Sequence, residues 1–347
     1  MKRFCFALGI VVLFFVSNSM GLAEEQYTMK VTGPFVLHDY WDLHTNIYIF
    51  QQELETRSNG RIKVEIYGGN QLGKPTENVA QTKAGLVQMD YAADGHFTPV
   101  YPNIQVFSIP YLFIDRQIAW RILEGNTAKA MMDDMAKKTG IRPIMFFENG
   151  GFRNYSDSKR PLRTPADLKG LKIRTMPSPL HMQIVKDLGA APTPIPFTEL
   201  YSALQMKVVD GQENPVSVFR VPKLEEVQKY MILDGHVYSV TAYLINEKWY
   251  QSLPGDLQVA IRQSAEIARD MHNAISYLKE RKDIEELRDM GIDVYAPPVE
   301  VKNEFRKLTQ QSAINWMRQQ KNIDPKYIDM LFEEVKQVEA ELGYAPN

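Results

Sequence analysis

From Gly255 to Met290 the sequence contains no proline, and no glycine after Gly255 itself. An uninterrupted helix over such a stretch, rising 1.5 Å per residue, would measure roughly 50 Å, longer than one small domain is wide. The segment therefore bends, breaks into two helices at the polar run Lys279 to Asp283, or crosses between two bodies. The length of the chain suits the last option. Its 347 residues exceed what one small core organises and fit two domains of roughly 150 residues each. With 44% hydrophobic and 24% charged residues it has apolar material for both. No repeat and no low-complexity linker separates the two, so a hinge is expected rather than a flexible tether.

The first 23 residues read as a signal peptide. Lys2 and Arg3 supply a positive start, Phe4 to Val16 is apolar and uncharged, and Gly21-Leu22-Ala23 gives a small-x-small pattern before Glu24. A membrane anchor is the alternative, but the apolar run is short for a span. A lipoprotein is not expected, because Cys5 lies at the wrong end of the apolar run. Cleavage after Ala23 removes two of the 40 basic residues, leaving 38 against 42 acidic and a net charge of −4. It also removes the single cysteine, which excludes thiol nucleophiles and thiolate metal sites from the mature chain. A mildly acidic chain gives no reason to expect nucleic-acid binding.

Along the mature chain strand and helix patterns alternate, as in an α/β sheet. Strands are expected at Tyr27 to Val31, Arg61 to Tyr67, Gln88 to Ala93, Ile141 to Phe147 and Leu171 to Thr175. The strict alternation Arg61-Ile62-Lys63-Val64-Glu65-Ile66-Tyr67 marks a half-buried strand. Helices are expected at Asn46 to Arg57, Pro75 to Ala84, Ser178 to Leu188 and Thr198 to Met206, with amphipathic helix from Val299 onward. Thr164-Pro165-Ala166-Asp167 opens a short helix, with Thr as cap and Pro in the first turn.

Catalytic signatures are absent: there is no Gly-x-Ser-x-Gly and no His-Glu-x-x-His. The six histidines are scattered, and the spacing of His38 and His44 fits no common metal motif. Gly68-Gly69-Asn70-Gln71-Leu72-Gly73-Lys74-Pro75 approaches a phosphate-binding loop, but Pro75 brings neither the hydroxyl nor the N–H that the motif needs. It reads as a turn. No cofactor and no metal are expected.

Three polar segments remain. Gly150-Gly151-Phe152-Arg153 is expected as a sharp turn that ends the Ile141 strand. In Lys172-Ile173-Arg174 the arginine faces away from the side of Leu171 and Ile173. Val208-Val209-Asp210-Gly211-Gln212-Glu213-Asn214-Pro215 is expected as a turn-rich loop after a strand. Each alone reads equally as a surface arginine or a solvated turn. Together they fall where open α/β sheets bind ligands, at the carboxyl ends of strands.

The run Pro165-Ala166-Asp167-Leu168-Lys169-Gly170-Leu171-Lys172-Ile173-Arg174 resembles the signature of solute receptors of tripartite ATP-independent periplasmic (TRAP) transporters, of the dicarboxylate-receptor type. Leu188 to Pro194, Phe197 to Gln205 and Asp210-Gly211-Gln212-Glu213-Asn214-Pro215 extend the similarity, with weaker landmarks at Gln71-Leu72-Gly73 and Phe107 to Tyr111. The resemblance implies an α/β receptor of two lobes, a hinge, and a long helix crossing both. Residues 24–150 with about 239–280 would form one lobe, and residues 151–238 with about 281–347 the other. It implies a periplasmic, non-enzymatic protein that binds a small organic acid and delivers it to integral membrane subunits. The ion gradient used by those subunits would supply the energy. Presentation of the ligand to a membrane sensor, or enzymatic action on an organic acid, are the alternatives.

The resemblance also assigns residues. Arg174 would pair with the ligand carboxylate, Arg153 would be a second arginine, Asn214 would add a hydrogen bond and Phe197 would pack on the ligand. Guanidinium suits the first role, because its paired donors match both carboxylate oxygens and it stays charged. The first lobe would choose the acid through His38, Trp41, Tyr91, Asp94 and His96. Ala93 departs from an acidic residue found there in some relatives, so Asp94 could instead accept from a hydroxyl-bearing ligand. Trp41 and Phe97 could line an aromatic acid.

Overall fold

The computed structural model describes residues 25–35 and 44–344; the expected signal peptide, His38 and Trp41 lie outside the described residues. In chain order the first elements are β1 (Tyr27–Thr32), α1 (Asn46–Arg57), β2 (Ile62–Tyr67), α2 (Pro75–Ala84), β3 (Met89–Ala93), α3 (Asp94–Phe97), α4 (Arg116–Leu123), α5 (Asn126–Thr139) and β4 (Ile141–Asp157). There follow β5 (Lys172–Thr175), α6 (Pro179–Asp187), β6 (Ala191–Pro194), α7 (Leu200–Gln205), β7 (Gly211–Asn214), α8 (Val216–Arg220), β8 (Tyr230–Asn246) and α9 (Glu247–Ser252). The chain ends with α10 (Gly255–Asp289), β9 (Asp293–Tyr295), α11 (Val299–Gln319) and α12 (Pro325–Glu341).

Among the described residues these strands form one mixed sheet in the order β2-β1-β3-β8-β4-β7-β5-β6, with β9 added to β8. β2, β1 and β3 are parallel at one end, and β7, β5 and β6 are parallel at the other. The two ends are joined by β4 and β8, each 17 residues long and antiparallel to the other. One half of each long strand belongs to each end: β8 pairs β3 through residues 241–245, and β4 pairs β7 through residues 154–157. This corrects the expected turn at Gly150-Gly151. The strand does not stop there. It shifts register between Glu148 and Phe152, and the two glycines absorb the irregularity at φ of 82° and 94°.

The segment Gly211-Gln212-Glu213-Asn214, expected as a loop, is β7 itself, fully buried inside the sheet. Polar residues survive there because they satisfy one another. Gln212 Nε2 donates to Ser156 Oγ at 2.9 Å, and Asn214 Nδ2 donates to Gln212 Oε1 at 2.6 Å.

The long helix is a single element. The run Lys279 to Asp283 does not break it, because those charges are absorbed along it: Lys279–Asp283, Arg281–Glu285 and Lys282–Glu286 are ion pairs four residues apart. Leu257, Ile261 and Ala265 of α10 share a core with β1, α1 and β2, whereas Leu287 lies in a separate core with Leu204, Phe219 and Met231. The C-terminal helices reach back. Tyr327, Leu331 and Val335 of α12 are buried with Ile118 of α4 and Met131 of α5, so the tail expected in the second lobe also covers the first half.

Candidate ligand-binding site

Where the two ends of the sheet meet lies a narrow cavity lined by Pro34, His44, Tyr91, Ala93, His96, Asn149, Arg174, Met176, Phe197, Asn214 and Val218. Its cavity volume is about 30 Å³. The wall is drawn from the loops after β1 and β5, from β3 and the short helix after it, and from the β4 irregularity and the end of β7. Ile114 and other exposed apolar residues lie elsewhere on the surface.

Arg174 determines the character of this cavity. It lies on β5 between β6 and β7, opposite Thr193 and Gln212, and it is completely buried. Nε donates to the Ile195 carbonyl at 2.8 Å, and the guanidinium sits 5.9 Å from the centre of the Phe197 ring. Both terminal nitrogens, Nη1 and Nη2, have no hydrogen-bond partner. Burial drives its pKa down to about 9, Arg153 contributes in the same direction, and Glu213 offsets part of this. A buried cation held at one nitrogen, with its outer edge unsatisfied, is costly unless an anion completes it.

Arg153, the other expected arginine, has a different set of partners. Its guanidinium forms a bidentate pair with the Glu213 carboxylate and also donates to Ser239 Oγ at 2.9 Å, the Glu213 carbonyl at 2.6 Å and Asn214 Oδ1 at 3.0 Å. It is absent from the cavity wall. Around it extends a buried network. His181 Nδ1 lies 3.5 Å from Glu213, His236 Nε2 lies 3.4 Å from Glu213, and His236 Nδ1 lies 2.8 Å from Asp234. Burial works against the Glu213 charge, but Arg153 and the histidines outweigh it and hold this carboxyl well below its usual range.

The other expected residues divide. Tyr91, His96, Phe197 and Asn214 line the cavity with Arg174. The Tyr91 hydroxyl and His96 Nδ1 are buried without hydrogen-bond partners. Asp94 does not line it: its carboxylate accepts from Ser108 Oγ at 2.6 Å and from the Gly95 N–H at 2.8 Å, so both oxygens are engaged inside the protein. Phe97 is fully buried and stacks on Phe146, which makes it core. Asn149, Met176 and Val218 line the cavity without having been singled out in the sequence, and so does His44, considered there only as a metal ligand. They come from four separate segments, and no spacing links them.

A narrow cavity with a single half-satisfied guanidinium, at the meeting of two sheet halves, is chemically suited to a small anionic group. The comparisons with known proteins agree. Residues 41–320 match the family described as bacterial extracellular solute-binding protein, family 7. A "Solute-binding protein" of Verminephrobacter eiseniae is 34% identical over 78% of this chain and 80% of its own length. The "C4-dicarboxylate-binding periplasmic protein DctP" of Rhodobacter capsulatus is 31% identical over 77% of each chain. Among solved structures, the sugar acid binding protein DctPAm of Advenella mimigardefordensis in complex with galactonate superposes with a TM-score of 0.84 at 25% identity, covering 90% of this chain and 99% of that one. The chain belongs to this family, the periplasmic solute-binding proteins of TRAP transporters, which bind solutes and are not enzymes.

Proposed function

We propose that this protein is a TRAP receptor that holds a small organic acid by its carboxylate on Arg174 and delivers it to the integral membrane subunits of its transporter. The observation that carries the reading is the pair of unpartnered Nη atoms on a fully buried arginine in the cavity wall. A carboxylate offers two oxygens to that edge and restores neutrality in a place where water cannot. Asn214 and Phe197 flank the arginine and would position the ligand from the same side.

Residues 24–150 with about 239–280 would act as one lobe and residues 151–238 with about 281–347 as the other, with α12 leaning back on the first. The register shift of β4 at Gly150-Gly151 and the continuous α10 support a hinge at that boundary. The ligand would stabilise the closed form, which the membrane subunits recognise. The relatives above, a C4-dicarboxylate-binding protein and a galactonate complex, support an organic acid as cargo.

The test is thermal melting of the exported chain against a library of organic acids. An acid present at a hundred times its Kd should stabilise the protein by about 2.7 kcal/mol, a shift of a few degrees. Arg174→Ala should abolish the shift, and Arg174→Lys should restore little of it, because an ammonium lacks the paired donors. A shift that persists in Arg174→Ala overturns the reading.

A further inference from the structure

With a carboxylate on Arg174, the rest of the cavity wall decides what else the ligand carries. Arg174 is the only Lys, Arg, Asp or Glu among the described residues that line the cavity. Residues 36–43, which precede His44, contain no lysine or arginine in the sequence. The nearby charges cancel among themselves, since Arg153 is paired with Glu213 and His236 with Asp234.

The two imidazoles of the wall are not hidden cations. Burial, reinforced for His44 by His272 and for His96 by Arg174 and Arg153, lowers both pKa values to about 3. Each ring is neutral at pH 7, with one donor and one acceptor nitrogen. His44 Nδ1, His96 Nδ1 and the Tyr91 hydroxyl are buried with no hydrogen-bond partner. Asn149, whose Nδ2 reaches Ser239 Oγ at 3.2 Å, and Asn214 add carboxamides. The cavity therefore offers one positive charge and a ring of neutral polar groups.

We infer that the ligand is an acid with one carboxylate and neutral hydroxyl or keto groups along its chain, selected against a second carboxylate by His44, Tyr91, His96 and Asn149. The inference rests on the carboxylate role of Arg174. One carboxylate neutralises the guanidinium, whereas a second would be buried without a counter-charge. Hydroxyls can donate to and accept from the orphaned ring nitrogens and the phenol, and an unsubstituted acid would leave those groups unsatisfied. The two relatives, one a C4-dicarboxylate-binding protein and one in complex with galactonate, represent the two sides of this choice.

Calorimetric titration with matched probes tests it. Erythronate, gluconate and galactonate are the singly charged hydroxy acids; tartrate, glucarate and galactarate are their doubly charged counterparts; butyrate and hexanoate lack the hydroxyls. At least one hydroxy monoacid should bind roughly a hundredfold more tightly than its diacid and at least tenfold more tightly than the unsubstituted acid. A diacid that binds as tightly as its monoacid partner overturns the inference and leaves Arg174 in its role, provided Arg174→Ala abolishes that binding. Binding that survives Arg174→Ala overturns the parent reading instead, and no binding by any probe to folded, ligand-stripped protein overturns both. His96→Lys should shift the preference toward the diacid by about tenfold, since it adds the missing cation. Tyr91→Phe, which keeps the ring packing, should weaken the hydroxy acid but not hexanoate; equal losses for both would also count against the inference.

Discussion

His236 sits between two carboxylates, with Nδ1 2.8 Å from Asp234 and Nε2 3.4 Å from Glu213, and its ring stacked 4.2 Å from that of Tyr155. Burial disfavours its charge, but the two carboxylates prevail and raise its pKa to about 9. Arg153, His181 and Tyr111 also face this group through Glu213 and Asp234. Because the folded pKa exceeds the unfolded value near 6.5, the charged ring contributes stability that is complete below about pH 6.5 and lost as pH rises through 9. His236→Gln, neutral throughout, should therefore lower the urea midpoint most at about pH 6, and the gap to the unmutated protein should narrow by about pH 9.5. A gap that is constant or widens would mean that the ring is neutral in the native state. His44 and His96 have the opposite sign: with folded pKa values near 3, they contribute stability that is lost as pH falls from about 6.5. At this scale the sequence singles out Arg174 through the family resemblance of the run Pro165 to Arg174, since in the alternating strand Lys172-Ile173-Arg174-Thr175 the arginine alone reads equally as a surface residue. It does not show that Arg153 is consumed by Glu213, since the two are 60 residues apart and meet only through the pairing of β4 with β7.

Where β4 crosses between the two halves, an element-level knot holds the crossing. Arg116 of α4 donates to Glu148 of β4 at 2.8 Å and to Glu280 of α10 at 2.6 Å, while Trp120 donates to Glu148 at 2.9 Å. Tyr238 of β8 and Ser276 of α10 donate to the same carboxylate. Gly151 leaves the room for this knot: a Cβ there would fall 2.2 Å from Arg116 Nη2, on a backbone already at φ 94°. Gly151→Ala should destabilise the protein by at least ~2 kcal/mol through strain and displacement of the arginine, read as a lower urea midpoint. An unchanged midpoint would show that the strand can shift without cost. The same place explains which elements the sequence reveals. β2 and α2 carry their own periodicity and end signals, and both form where expected. The first part of β4, Ile141 to Phe147, also forms where expected, but the full length of the two long strands is not legible, because each contains signals that ordinarily end a strand: Gly150-Gly151 in β4 and Asp234-Gly235, with Gly235 at φ 65°, in β8. Residues 230–246 accordingly gave no strand expectation, and tertiary pairing decides what the local signals deny.

For the molecule as a whole, β4, β8 and α10 run through both halves and Arg174 is completely buried between them, so under the function proposed above a ligand enters when the two lobes separate. Entry is then governed by opening, and escape by whatever holds the halves together around a bound acid. Beside the cavity one contact joins segments 125 positions apart: Lys74 Nζ, at the start of α2, lies 2.8 Å from Glu199 Oε1, two residues beyond Phe197. Both side chains are about half exposed, so the pair is weak and screened by salt; under the proposed lobe division it bridges the two lobes. Lys74→Glu places two carboxylates at that contact. Stopped-flow measurement with the bound acid should show release faster by roughly two- to fivefold at low salt, with little change in the association rate and with the difference fading toward about 1 M salt. Lys74→Glu combined with Glu199→Lys should restore slow release. If release in Lys74→Glu is unchanged at low salt, the rim does not restrain opening, and the hold on the ligand lies with Arg174 and the groups around it.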